Sequence, residues 1–110
     1  MKKLKDKKIT ILEKKSIYIP GIGADTTITP IADGENIWAY YRQASGNEKV
    51  AASAIAARVD VIFEINWRDD LTTAMLIDFR GVRYNITRID DYEGYKNDLR
   101  IFAFNAALSG

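Results

Sequence analysis

The sequence predicts a mainly β fold, a small antiparallel barrel or sandwich of about five or six strands, with one α-helix inserted in a long strand–strand connection. Three observations carry this expectation. Over residues 58–67 the chain alternates with period two: Val59, Val61, Phe63, Ile65 and Trp67 fall on one face, and Arg58, Asp60, Glu64 and Asn66 on the other. Only Ile62 breaks the pattern. Residues 75–79 and 82–89 repeat the theme on either side of Arg80-Gly81, a pair suited to a two-residue hairpin turn. Between two strand-like segments, residues 45–57 turn Ala-rich with no Gly or Pro separating them from the following strand.

Taken in order, residues 1–8 form a basic stretch expected to be a solvated tail leading into a strand over residues 7–12, whose end is marked by Glu13-Lys14-Lys15. Residues 18–23 read as a turn, and residues 26–31, closed by Pro30, as a loop or edge strand. Asp33-Gly34 makes a turn before a strand over residues 36–44, which Trp38, Tyr40 and Tyr41 mark. Ser45-Gly46-Asn47-Glu48 has the form of a capping box, because the Ser45 hydroxyl can accept from the Glu48 amide while the Glu48 carboxylate returns the bond. The helix it opens carries Val50, Ala54 and Ala57 on one stripe, and Arg58 falls where a cation suits a helix C-terminus. About three turns fit, on the order of 18 Å. A polar turn over residues 90–94 precedes a last strand over residues 99–104.

With 110 residues the chain is one domain, long enough to bury roughly two-thirds of its unfolded surface. Its 16 Lys and Arg nearly balance 15 Asp and Glu, which argues against a domain whose main task is gripping phosphates. Cys and His are both absent, and with them go disulfides, thiolate nucleophiles, Ser-His and Cys-His pairs, and the commonest zinc ligands. An apolar run long enough to span a bilayer is also missing, so a soluble protein is expected.

An enzyme built from these residues would depend on carboxylates, and Asp69-Asp70 and Asp90-Asp91-Glu93 are the acidic clusters. Both fall in expected turns, and the second lacks the ligand spacing of a calcium loop. Asn85-Ile86-Thr87 matches a glycosylation triplet but lies inside an expected strand. The glycines are dispersed and form no phosphate-binding loop. Trp38, Tyr40, Tyr41, Trp67, Tyr84, Tyr92 and Tyr95 could stack on bases, which keeps a small single-stranded nucleic-acid-binding β-barrel as the alternative function. The competing reading places Trp38 and Trp67 in the core.

The long connection poses the functional question. A hairpin needs only about 2–5 residues between its strands, and excess connecting chain on a rigid scaffold is where function concentrates. Two readings stay open, a helix that plugs its own barrel and a helix used between molecules.

The order of features resembles the phage head–tail joining family, the small head-closure, stopper and adaptor proteins of tailed-phage necks. The matching pieces are Gly34-Glu35 before Trp38-Ala39, then Ser45-Gly46 with Glu48 opening the Ala-rich helix, the strand over residues 58–67, and Phe79-Arg80-Gly81-Val82-Arg83-Tyr84-Asn85-Ile86. Together with the final strand they cover residues 33–105. The chain departs from the pattern at Arg68-Asp69-Asp70-Leu71, where a glycine turn is expected.

The resemblance implies a non-enzymatic virion neck protein without cofactor, metal or membrane partner, assembled in the bacterial host cytoplasm or encoded by a prophage. It implies a ring of neighbouring copies beneath the portal/adaptor protein, which closes the DNA-filled head and offers a surface to a tail-side neck or tail protein. In such relatives the long connection faces the ring's interior or a neighbouring subunit and can gate the DNA passing through the channel. Carried onto this sequence, the channel or intersubunit segment comprises Ser45, Gly46, Glu48, Lys49, Ala52 and Ile55, with Lys49 the basic residue nearest DNA.

Overall fold

Charge does not stop the first strand. In a computed structural model that describes residues 4–46, 58–91, 94 and 97–105, β1 runs unbroken over Lys7–Ile19, through Glu13-Lys14-Lys15. It is followed by β2 (Gly23–Pro30), β3 (Ile37–Gln43), β4 (Val61–Asn66), β5 (Leu76–Phe79), β6 (Val82–Asp90) and β7 (Asp98–Phe104). All seven lie in one antiparallel sheet of order β2-β1-β3-β4-β7-β6-β5, rather than five or six strands in a barrel or sandwich. The last strand in that order still turns back on β1, β5 pairing with it at Thr10↔Asp78, Ile11↔Ile77 and Leu12↔Leu76. No helical element is defined within the described residues, and the helix expected over residues 45–58 falls mainly on residues 47–57, outside them.

The pairing of β1 explains this arrangement. Residues 7–9 pair with β3 and residues 12–19 with β2, so β2 and β3 form one interrupted partner along a single edge. The interruption, residues 31–36, packs against Ile11, whose amide donates to the Gly34 carbonyl (2.7 Å) and whose carbonyl accepts from the Ile31 amide (3.0 Å). The opposite edge of residues 10–12 receives β5. Beyond Leu12, β1 and β2 pair only with each other among the described residues and project as a two-stranded arm. The molecule measures 55 × 32 × 27 Å as a result. With no buried face to demand alternation, the arm tolerates Lys14, Lys15 and Ser16 in mid-strand, which is why the sequence did not betray it.

Inward-facing side chains fill the space the sheet encloses. Ile9, Ile11, Ala39, Val61, Phe63, Ile65, Ile77 and Ile101 are almost wholly buried there. Four rings meet at the centre, Tyr41 to Phe79 at 4.7 Å, Tyr41 to Phe63 and Phe63 to Phe79 both at 5.5 Å, and Phe63 to Tyr84 at 5.7 Å. Tilted and edge-on contacts at such distances are the favourable aromatic geometries. Trp67 packs on this core as expected, but Trp38 does not: it sits on the outer face, 54% exposed, under the Lys8 ammonium at 4.6 Å. Aromatic content marked the strand correctly and its inward face wrongly, because period two alone does not say which face is covered. Ile62, the residue that broke the alternation, belongs with Val59 and Phe102 to a second, smaller apolar cluster on the other face.

Arg80 and Gly81 both take positive φ (52° and 78°), as the right-handed twist of a two-residue hairpin requires, and join Phe79 to Val82. Gly34 is needed for a different reason. A Cβ there would lie 2.9 Å from the Ile11 carbonyl oxygen and 2.5 Å from Ile31 Cγ1, so the backbone of β1 can approach only a residue without a side chain. Gly34→Ala is expected to destabilise by about 1–3 kcal/mol through this overpacking, while Gly46→Ala, which meets no atom within 4 Å, is expected to change stability little. Chemical denaturation of both variants checks the contrast.

Candidate assembly surfaces

The long connection leaves and re-enters the sheet at one rung. The final β3–β4 pair is Gln43↔Val61, so residues 44–60 join two adjacent antiparallel strands. Asp60 anchors that root from several sides. Its carbonyl accepts from the Ala44 amide (2.9 Å), its own amide donates to the Ala103 carbonyl (2.9 Å), and its carboxylate receives the Asn105 amide (3.0 Å) and the Arg58 guanidinium (3.1 Å). Thr87, at a register shift in β6, turns its hydroxyl to donate to the Arg58 carbonyl (2.5 Å). The small cluster of Val59, Ile62 and Phe102, with Ala44 packed against it, lies at the same root. Of the residues assigned to the channel or intersubunit segment, Ser45 and Gly46 are exposed beyond β3, and Glu48, Lys49, Ala52 and Ile55 lie outside the described residues. The sequence pointed to the connection but not to Asp60 and Thr87, whose roles depend on β6 and β7 arriving from far along the chain.

The arm is the second exposed feature, and no sequence pattern signalled it. Its tip displays Ile17, Tyr18 and Ile22, the last two 77% and 76% exposed. Exposed large apolar side chains are ordinary when isolated but mark contact surfaces when grouped on a protrusion.

The candidates for chemistry disperse. Asp70 is held by Arg68 through Nε (2.9 Å) and Nη2 (2.8 Å), and the same guanidinium donates to the carbonyls of Asp33 (2.6 Å) and Ala32 (2.8 Å). Arg68 therefore fastens residues 32–33 of the interrupted partner of β1, the structural use of the segment where a glycine turn was expected. Asp78 likewise meets Arg83 (2.9 Å) at the rim of an open cleft of about 480 Å³. Glu64, nearly buried on β4, lies across from Arg100 of β7 at 3.6 Å. Among the described residues no group of His, Cys, Asp and Glu is arranged to hold a metal ion. Nor is any described helix long and apolar enough to cross a membrane. Of the aromatics that could stack on bases, Tyr41 and Tyr84 belong to the core, and Tyr92 and Tyr95 lie outside the described residues.

The chain is a small antiparallel scaffold whose distinctive parts are an anchored long connection and a projecting arm. The sequence profile of the phage head completion protein family matches residues 5–105, and the chain belongs to that family. It is thus a structural component of a phage virion, with a role at the junction of head and tail that involves other head and tail proteins. In fold it is similar to the solution structure of protein SF1141 from Shigella flexneri 2a, with a TM-score of 0.78 over 97% of this chain and 96% of that one, at 22% identity. No curated protein matches the chain.

The Arg68–Asp70 contact makes a pH-dependent prediction. Hydrogen bonding from Arg68 is the main reason the Asp70 carboxyl titrates below its ordinary value of 3.8. A depressed carboxylate stabilises the fold above its unfolded pKa, and that contribution disappears as pH falls through the folded one. Arg68→Ala is expected to lower unfolding free energy by about 1–2 kcal/mol at pH 7, discounted for the partly exposed site. The gap between variant and wild type should narrow below the ordinary carboxylate pKa of 3.8, measured by urea denaturation at pH 7 and pH 3.

Proposed function

We propose that this head completion protein forms a ring beneath the portal/adaptor complex, closes the DNA-filled head and presents a surface to the tail. The segment from Ser45 to Arg58 supplies the channel-facing or intersubunit element, within which Glu48, Lys49, Ala52 and Ile55 are the working residues. The observation that carries this reading is the anchoring of the long connection. Both of its ends are fixed to the sheet by hydrogen bonds from Ala44 to Asp60 and from Thr87 to Arg58, so the connection begins and ends at one defined point on a rigid body.

Charge supports the same reading. A net charge of +1 leaves a ring of copies without the strongly cationic lining that would retain DNA by phosphate contacts. Ring formation requires a heterologous interface, one patch meeting a different patch on the next copy.

Removing residues 46–56 tests the gating role. The shortened chain is expected to keep the sheet and the Tyr41–Phe63–Phe79–Tyr84 core, seen as retained near-ultraviolet circular dichroism. Filled heads completed with it are expected to leak DNA, scored by nuclease sensitivity of the packaged genome. Particles that remain nuclease-resistant would refute the role. Salt-sensitive binding of the intact protein to single-stranded oligonucleotides would favour the nucleic-acid-binding alternative instead.

A further inference from the structure

The two edges of β1 are not used alike. Ile11 bonds through its amide and carbonyl to the loop over residues 31–34, while Thr10 and Leu12 face β5 on the opposite side. Backbone groups alternate in direction along a strand, so those of Glu13, Lys15 and Ile17 point toward β2 and those of Lys14, Ser16 and Tyr18 point away from it. The Lys15 carbonyl, which accepts from the Thr27 hydroxyl of β2 (3.5 Å), agrees with this assignment. One edge of β1 is therefore filled from residue 7 to residue 19. The opposite edge receives β5 over residues 10–12 and, among the described residues, no strand beyond.

The arm's other long edge, on β2, is closed by its own residues. Its outward groups belong to Ala24, Thr26, Ile28 and Pro30, the partners of Tyr18, Ser16, Lys14 and Leu12. Pro30 has no amide to offer, and the Thr26 amide is taken by the Asp25 carboxylate (2.8 Å). Among the described residues nothing comparable covers the amides of Lys14, Ser16 and Tyr18. A two-stranded ribbon standing alone is marginal in water, and an open edge is a template for one more strand.

The open edge begins where β5 ends. A turn closed by the Met75 amide and the Thr72 carbonyl (3.2 Å) precedes β5, and a cleft of about 440 Å³ opens there, bordered by Glu13, Lys14, Thr72, Met75 and Phe104. Charge selects the occupant. A chain laid along this edge runs beside Glu13, Lys14 and Lys15; Lys15 pairs with Glu13 (3.2 Å), which leaves the charge of Lys14 over, and Asp25 lies one strand further off on β2. The same edge of a second copy would bring two more lysines against one more glutamate, whereas an acidic segment supplies the missing counter-charge.

We propose that an extended, acidic segment of another head or tail protein adds to the arm as its third strand, bonding to the backbone of Lys14, Ser16 and Tyr18 and entering the cleft beside Met75. Its carboxylates lie toward Lys14 and Lys15, and its apolar side chains toward Ile17 and Tyr18 at the exposed tip. The inference depends on the family's work with other virion proteins and not on the ring or the gating segment.

Hydrogen exchange resolved to single residues tests it on the wild-type protein, alone and bound to filled heads or complete virions. The amides of Lys14, Ser16 and Tyr18 are expected to exchange freely in the isolated protein and at least about tenfold more slowly on one of the two particles. Ser16→Pro removes one outward amide and keeps the bonds to β2, and Ala24→Pro does the same on the closed edge. Co-sedimentation with the particles should show binding weakened about tenfold or more by Ser16→Pro, several-fold by Lys14→Glu, and by no more than about twofold by Ala24→Pro.

Unchanged exchange at these three amides on both particles would overturn the proposal, whether or not removal of residues 46–56 releases DNA. That result stands even where a proline variant fails to fold. Equal loss of binding from the two proline variants counts against it as well, because the contact then fails to distinguish the edges. Protection that develops when the protein is concentrated alone would give the edge to a second copy and sink the acidic partner.

Discussion

One strand is asked to serve two surroundings, and the division of β1 between them determines the shape of the molecule. Over residues 7–12 it engages neighbours on both edges, β3 and the loop over residues 31–34 on one and β5 on the other. Over residues 13–19 it has β2 alone. Alternation of side chains and of backbone bonding groups along a strand makes this possible. Ile9 and Ile11 enter the core while the backbone between them binds in both directions. Gly34 permits the close passage at the point of change, and Arg68 holds the crossing loop in place.

Rigidity at the centre is what makes the periphery useful. The aromatic cluster of Tyr41, Phe63, Phe79 and Tyr84 links β3, β4, β5 and β6, so the root of the long connection and the base of the arm are parts of one packed body. The anchorage at Asp60 draws on Ala44, Arg58, Ala103 and Asn105, from three separate stretches of chain. A protein that joins others needs surfaces fixed relative to each other, and among the described residues strand pairing supplies them without disulfide or metal.

The central strands were legible because burial on one face imposes period two, as in Val61, Phe63 and Ile65, and because Arg80-Gly81 fits only a narrow class of turns. The arm was not, since strands solvated on both faces carry no hydrophobic period; Glu13-Lys14-Lys15 looked like an ending and was mid-strand. Trp38 misled for a related reason: its size argues for burial, but its register opposite Lys8 puts it outside. Ile62 was an irregularity in the sequence and is a member of a second apolar cluster in the fold. The connection was legible as an excess of chain, but its anchorage was not, because the groups that hold it come from residues 87 and 103–105.

The two ends of that connection meet at a single rung, and polymer statistics give this an evolutionary consequence. Doubling the length of a flexible loop whose ends are already fixed together costs only about 0.6 kcal/mol. Added residues that take no fixed structure therefore cost the sheet little, provided that Ala44, Arg58, Val59 and Asp60 keep their contacts at the root. A phage lineage facing a new neighbour at its neck could rewrite this cassette while leaving the scaffold untouched.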